Sequence, residues 1–179
     1  MIKLDDIVTL AVRDKDLKVA RDELGEDYNR TLRKRVDVED YEEAKLWGLV
    51  GQVMAAKFYG KARFSESTTD YDMILDGKKI EVKTRHTRMT ATDQIDLSYR
   101  GVIRADALKR QSCEGYVFCL LNLPLRTVWL IGWISKGRFL AKATFQKKGE
   151  RFDDSSKWKV RGDCWAIKYR ELSPVNELC

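Results

Sequence analysis

Between residues 71 and 84 the chain reads YDMILDGKKIEVKT, with apolar positions alternating on both sides of Asp76 and Gly77. Asp-Gly between two alternating runs predicts a two-residue hairpin loop, because both loop residues must accept positive φ. Counting outward pairs Leu75 with Lys78, Met73 with Ile80 and Tyr71 with Val82. On the other side Asp72 meets Glu81, and Asp70 falls opposite Lys83. Successive strand side chains point opposite ways, so Tyr71, Met73, Leu75, Ile80 and Val82 form one apolar face.

Upstream, Leu46, Leu49, Val50 and Val53 recur at helical spacing, which predicts a helix from Val38 to Tyr59, capped by Asp37 or Asp40 and stopped by Gly60. Gly48, Gln52, Ala55 and Ala56 form a neighbouring face of mostly small residues, suited to packing closely on a sheet. Gln52 is then directed inward, either toward the hairpin or onto backbone at the core edge. Residues 1–40 are densely charged and carry Ile7, Leu10, Leu17 and Leu24 at helical spacing, which reads as one or two peripheral helices.

Downstream, Val102, Ile103, Ala107 and Leu108 suggest a helix over 102–112. YVFCLL at 116–121 and TVWLIGWI at 127–134, joined by a turn from Asn122 to Arg126, are short and almost wholly apolar, as strands buried on both faces are. With a short strand near Ala62 to Phe64, the order predicts an α/β sandwich with a mixed central sheet flanked by helices. With only two prolines and no repeat, nothing divides the chain. We read 1–179 as one domain: an N-terminal helical extension (1–39), a core (40–135) and a basic C-terminal segment (136–179).

At 179 residues, 44% hydrophobic and 35% charged, the chain is long enough to bury a core without staples. Its net charge of +6 favours an anionic partner. Lys136, Arg138, Lys142, Lys147, Lys148, Arg151, Lys157, Lys159 and Arg161 crowd the C-terminal segment with Trp158, Trp165 and Tyr169. This is either a nucleic-acid surface or an exposed subdomain whose tryptophans pack on the core. Arg30, Arg33, Lys34 and Arg35 form either a phosphate contact or a solvated helix face. The start MIKLDD has no apolar leader and no run is long enough to span a membrane, so we expect an intracellular, cytoplasmic protein with no membrane partner. Cys113, Cys119, Cys164 and Cys179 lack paired CxxC spacing, which favours plain thiols over zinc, an iron–sulfur cluster or disulfides.

Two carboxylates opposite each other on adjacent strands destabilise a sheet unless something lies between them. A divalent cation, Mg²⁺ or Mn²⁺, is the natural occupant, since both favour carboxylate oxygens and Mg²⁺ needs only one or two of them. The plainer alternative is a surface ribbon on which Glu81 and Lys83 make weak ion pairs.

Asp72, an eight-residue gap and Glu81-Val82-Lys83 resemble the PD-(D/E)xK motif of restriction endonucleases and related phage and repair nucleases. The Gly48-xx-Gly51-Gln52 helix, the GYVFCLL and VWLIGWIS strands and the later YRELSP are similar to that family's pattern. The likeness covers about residues 40 to 135. It implies a restriction-endonuclease-like αβββαβ core and a Mg²⁺- or Mn²⁺-dependent DNA endonuclease that hydrolyses phosphodiester bonds. Asp72, Glu81 and the Val82 carbonyl would hold the metal, and Lys83 would act electrostatically, because opposite charges favour its charged form. Arg85, His86 and Arg88 would grip phosphate.

Tyr71 stands where the family has proline. Gln52 stands where many members carry a metal-binding glutamate, so it can offer only an uncharged oxygen. Glu43, half a helical rotation away, does not replace it, whereas Asp70 can contribute. A non-catalytic protein of the same fold, binding nucleic acid or a partner, is the alternative. The resemblance also allows a homodimer whose two subunits cut two strands.

Overall fold

A computed structural model describes residues 1–31, 41–60, 62–64, 70–152 and 159–178. Arg33, Lys34, Arg35, Asp37, Val38, Asp40, Lys157, Trp158 and Cys179, with the side chains of Leu24, Arg30 and Glu43, lie outside the described residues.

The elements run β1 (Val8–Ala11), α1 (Asp14–Thr31), α2 (Tyr41–Tyr59), β2 (Arg63–Phe64), β3 (Met73–Leu75), β4 (Lys78–His86), β5 (Arg100–Arg104), α3 (Ala105–Arg110), β6 (Gly115–Asn122), β7 (Thr127–Ser135), α4 (Lys136–Lys142), β8 (Thr144–Gln146) and β9 (Cys164–Lys168). They build a mixed α/β architecture with a six-stranded sheet in the order β1-β7-β6-β4-β3-β2 and a three-stranded sheet, β5-β9-β8. β4 and β6 are parallel, and every other pair in the large sheet is antiparallel.

The Asp-Gly loop forms as its chemistry requires, with φ of 46° at Asp76 and 82° at Gly77. β6 is buried at every position and β7 nearly so, because both lie in the interior of the large sheet. α2 places Leu46, Leu49, Val50 and Val53 against one face of the sheet, with Met73, Leu75, Ile80 and Val82 beneath. The opposite face, carrying Tyr116, Phe118, Leu120, Trp129 and Ile131, forms a second core with Ile103, Phe139, Ile167 and Leu172.

Two expectations give way to long-range pairing. Val8–Ala11 is an edge strand on β7, where a helix was expected, and 14–31 keeps the helical reading. Val102 and Ile103 belong to β5, paired with Ala166 and Trp165 of β9, so the expected helix shrinks to Ala105–Arg110. The β-branched residues of this stretch find backbone partners some sixty residues along the chain, which local periodicity cannot show. The basic C-terminal segment also supplies β8 and β9, which pair with each other, and β9 completes the small sheet with β5. Cys113, Cys119 and Cys164 are buried free thiols. Among the described residues no helix is long and apolar enough to cross a membrane.

Close approach of α2 to the sheet depends on Gly51, while the expected small residue Gly48 faces open space. A Cβ at Gly51 would lie 1.8 Å from the Oγ1 of Thr84 on β4 and 2.9 Å from its Cβ. We therefore expect Gly51→Ala to lower stability by about 1–3 kcal/mol through overpacking. Denaturant unfolding checks this, and Thr84→Ala in the same chain is expected to recover part of the loss.

Candidate active site at the split between β3 and β4

The β3–β4 ladder runs from Leu75 with Lys78 to Met73 with Ile80 and stops there. One residue earlier, the Asp72 N–H donates to the Ile80 carbonyl at 3.0 Å, while Asp72 Oδ2 accepts the Val82 N–H at 2.6 Å. A side-chain carboxylate thus takes the place that a backbone carbonyl would hold in a continued ladder. The expected pairs Tyr71 with Val82, Asp72 with Glu81 and Asp70 with Lys83 are accordingly not ladder pairs. Alternation is also lost, and Tyr71 packs with the second core, away from Met73 and Leu75, with the Lys79 ammonium 5.2 Å from its ring centre.

Helix α2 supplies the second hold on this carboxylate. Gln52 Nε2 donates to Asp72 Oδ1 at 2.7 Å. Of its two possible placements, Gln52 therefore takes the one toward the hairpin, and both Asp72 oxygens are engaged by the protein itself. Burial and the charge of Glu81 push the Asp72 carboxyl up to about 7, against the opposing pull of the Val82 N–H and Lys83. The two acids are therefore electrostatic neighbours even though the ladder does not pair them.

Glu81 arrives by strand alternation. Ile80 and Val82 point to the α2 core, while Glu81 and Lys83 align with Tyr116 and Phe118 of β6 on the other face. Glu81 is only 7% exposed, and its Oε1 accepts from Gln111 Nε2 at 2.6 Å and from Lys83 Nζ. Gln111 follows α3, and its carbonyl accepts from Lys136 Nζ at the start of α4. Its Oε1 is buried without a hydrogen-bond partner. Sequence reasoning did not single out Gln111, because its role depends on a contact thirty residues away and no motif marks it. Partners that orient a candidate ligand typically contribute 10–100-fold to metal affinity or activity. Were a divalent cation held here, Gln111→Ala would lower its affinity by roughly that factor, read by isothermal titration calorimetry, while the circular dichroism spectrum stays unchanged.

The structure thus brings Asp72, Glu81, Lys83 and Gln52 together, with Val82 contributing its N–H to Asp72. It separates the three residues that follow. Arg85 is exposed on the Lys83 face, and Arg88 is exposed beyond the end of β4. His86 turns to the α2 side and stacks on Trp47, with ring centres 4.4 Å apart and planes 19° from parallel. Packing on that indole accounts for the only histidine.

Among the described residues no three His, Cys, Asp or Glu side chains are placed to hold one ion. The acidic donors are Asp72 and Glu81, which the carbonyl oxygens of Val82 and Gln52 can supplement. The donor set suits a hard cation: two neighbouring carboxylates, one of them buried enough to retain its proton near neutrality, are relieved of repulsion by a divalent ion. No protein-family model matches the chain, and no curated protein matches it.

Proposed function

We propose that this chain is a Mg²⁺- or Mn²⁺-dependent DNA nuclease of the PD-(D/E)xK kind, an endonuclease hydrolysing phosphodiester bonds. The observation that carries this reading is the convergence of Asp72, Glu81 and Lys83 where β3 splits from β4, with Asp72 pushed up to about 7 by burial and by Glu81. The topology supports it as well. α2, β2, β3 and β4 are followed, after β5 of the small sheet, by the short α3 and then by β6 parallel to β4, an order that contains the αβββαβ series expected of a restriction-endonuclease-like core with one strand inserted.

Asp72, Glu81 and the Val82 carbonyl would hold the cation, which when bound supplies Lewis acidity and lowers the pKa of water. Gln52 and the Val82 N–H fix the Asp72 carboxylate, and Gln111 fixes Glu81. Lys83, oriented by Glu81, presents positive charge where negative charge grows on the attacked phosphate.

The test incubates supercoiled circular DNA and linear DNA with the protein in Mg²⁺ or Mn²⁺. Opening of the circle is expected, with no cutting in EDTA or by a folded Lys83→Ala variant. Cutting that persists in EDTA overturns the proposal. The neutral Gln52, whose amide occupies Asp72 Oδ1, favours a second reading as a non-catalytic DNA-binding protein. That reading predicts salt-dependent DNA binding with no turnover in any metal.

A further inference from the structure

Beyond Lys83 the surface opens into two adjoining cavities of about 300 and 480 Å³, which share Arg85, Val102 and Phe152. The one beside Lys83 is also lined by Arg100, Phe118 and Tyr169. The farther one is lined by Arg104, Lys159 and Arg161. Gly101 sets the depth of the first, because a Cβ there would meet the Phe118 ring at 2.5 Å. β5 of the small sheet can therefore lie close against β6 of the large one.

Among the described residues the charge lining this cleft is one-sided. No Asp or Glu lines either cavity among the described residues. Arg104 is paired outside the cleft with Asp106, at 2.9 and 3.0 Å. Among the described residues Arg85, Arg100, Lys159 and Arg161 have no carboxylate in ion-pair range. Cations gathered without counter-charge repel one another unless an anion joins them, and a regular series of anions fits a series of cations.

We propose that this cleft binds one unpaired DNA strand, leading it from the phosphate at Lys83 past Arg85 and Arg100 to Lys159 and Arg161. Phe152, half-buried and shared by both cavities, offers a base-stacking face. Sites for single strands combine a cationic groove with aromatic faces. A duplex can lie across a cationic surface through its phosphates, but only a single strand with its bases turned inward enters a concavity of a few hundred Å³. The substrate class that follows is DNA with an unpaired stretch beside the cut, whether a single-stranded arm, a gap or the melted patch that supercoiling opens in a closed circle. This assignment rests on the nuclease reading for the phosphate at Lys83, but strand binding itself requires no cleavage.

The test measures fluorescence anisotropy of a labelled single strand and of the duplex of the same sequence, in EDTA, across a salt series. We expect the single strand to bind at least about tenfold more tightly than the duplex. Arg100→Ala combined with Lys159→Ala is expected to weaken it roughly tenfold or more. The slope of log affinity against log salt should become shallower by about 1.4, which is about 0.7 for each phosphate left without its cation. Arg100→Lys with Lys159→Arg should keep the slope. Lys18→Ala with Lys109→Ala, which removes equal charge elsewhere, should leave affinity unchanged. Equal affinity for duplex and single strand overturns the proposal, as does an unaffected Arg100/Lys159 double variant. Mg²⁺-dependent cutting indifferent to strandedness overturns this assignment and leaves the nuclease standing. Strand-selective binding, abolished in the double variant, by a chain that cuts nothing leaves the cleft standing and overturns the nuclease.

Discussion

Replacing Asp72 by Asn is expected to abolish DNA cleavage and, at pH 8, to make the metal-free protein more stable. Burial and Glu81 raise the Asp72 carboxyl from 3.8 to about 7. A carboxyl raised on folding contributes stability that is fully present below its unfolded value near 3.8. That contribution is lost as pH rises through about 7. Above pH 7 the folded chain therefore carries an ionised carboxylate in an unfavourable place, at a cost on the order of 4 kcal/mol.

Asparagine has the same shape and no charge. Its carbonyl can still accept the Val82 N–H, and a turn of the Gln52 amide lets the two amides pair. Recovery of even half the cost raises Tm by roughly 4–8 °C for a chain of this size. Melting curves at pH 8 in EDTA, beside a cleavage assay, provide the check. A lower Tm for the variant removes the charge argument, and residual cutting by it removes the nuclease assignment. Such a trade, in which a residue proposed to hold a metal weakens the metal-free fold, is common at functional sites.

The second large effect concerns the metal and pH together. On the proposed reading a cation and the proton would compete for Asp72, so metal affinity should fall about tenfold per unit as pH drops below 7. Added Mn²⁺ or Mg²⁺ at a hundredfold excess over Kd should stabilise the fold by about 2.7 kcal/mol at pH 8. The same concentration should give little at pH 5.5 and nothing in Asp72→Asn. Cleavage should climb through pH 7 and level off above it, and EDTA should reverse both effects. Thermal shifts and initial rates across pH 5.5 to 8.5 test the claim. Metal stabilisation that ignores pH would place the ion elsewhere in the molecule.

Much of the chemistry is legible in the linear chain. The Asp-Gly loop, the alternation in β4 and the two apolar runs at β6 and β7 are local patterns, and each element forms nearly where its period predicts. Counting from one tight turn sets Asp72 opposite Glu81, with Lys83 two residues on. The count fails at a single step: Asp72 leaves the ladder to accept the Val82 N–H, and Tyr71 goes with it to the other core. His86 departs from its expected place for a related reason, because alternation sets its side but only the position of Trp47 on α2 gives it a stacking partner.

The sequence by itself determined the elements whose hydrogen bonds and apolar faces are set by near neighbours, together with the tight turn that lies between Asp72 and the Glu81–Lys83 strand. Only the tertiary structure decided what comes from afar. It gave Glu81 its hold from Gln111, turned Val102 and Ile103 into a strand against β9, and gathered Arg85, Arg100, Lys159 and Arg161 around one cleft. Such contacts join residues tens of positions apart, and their energies depend on burial and charge that exist only once the sheets have packed.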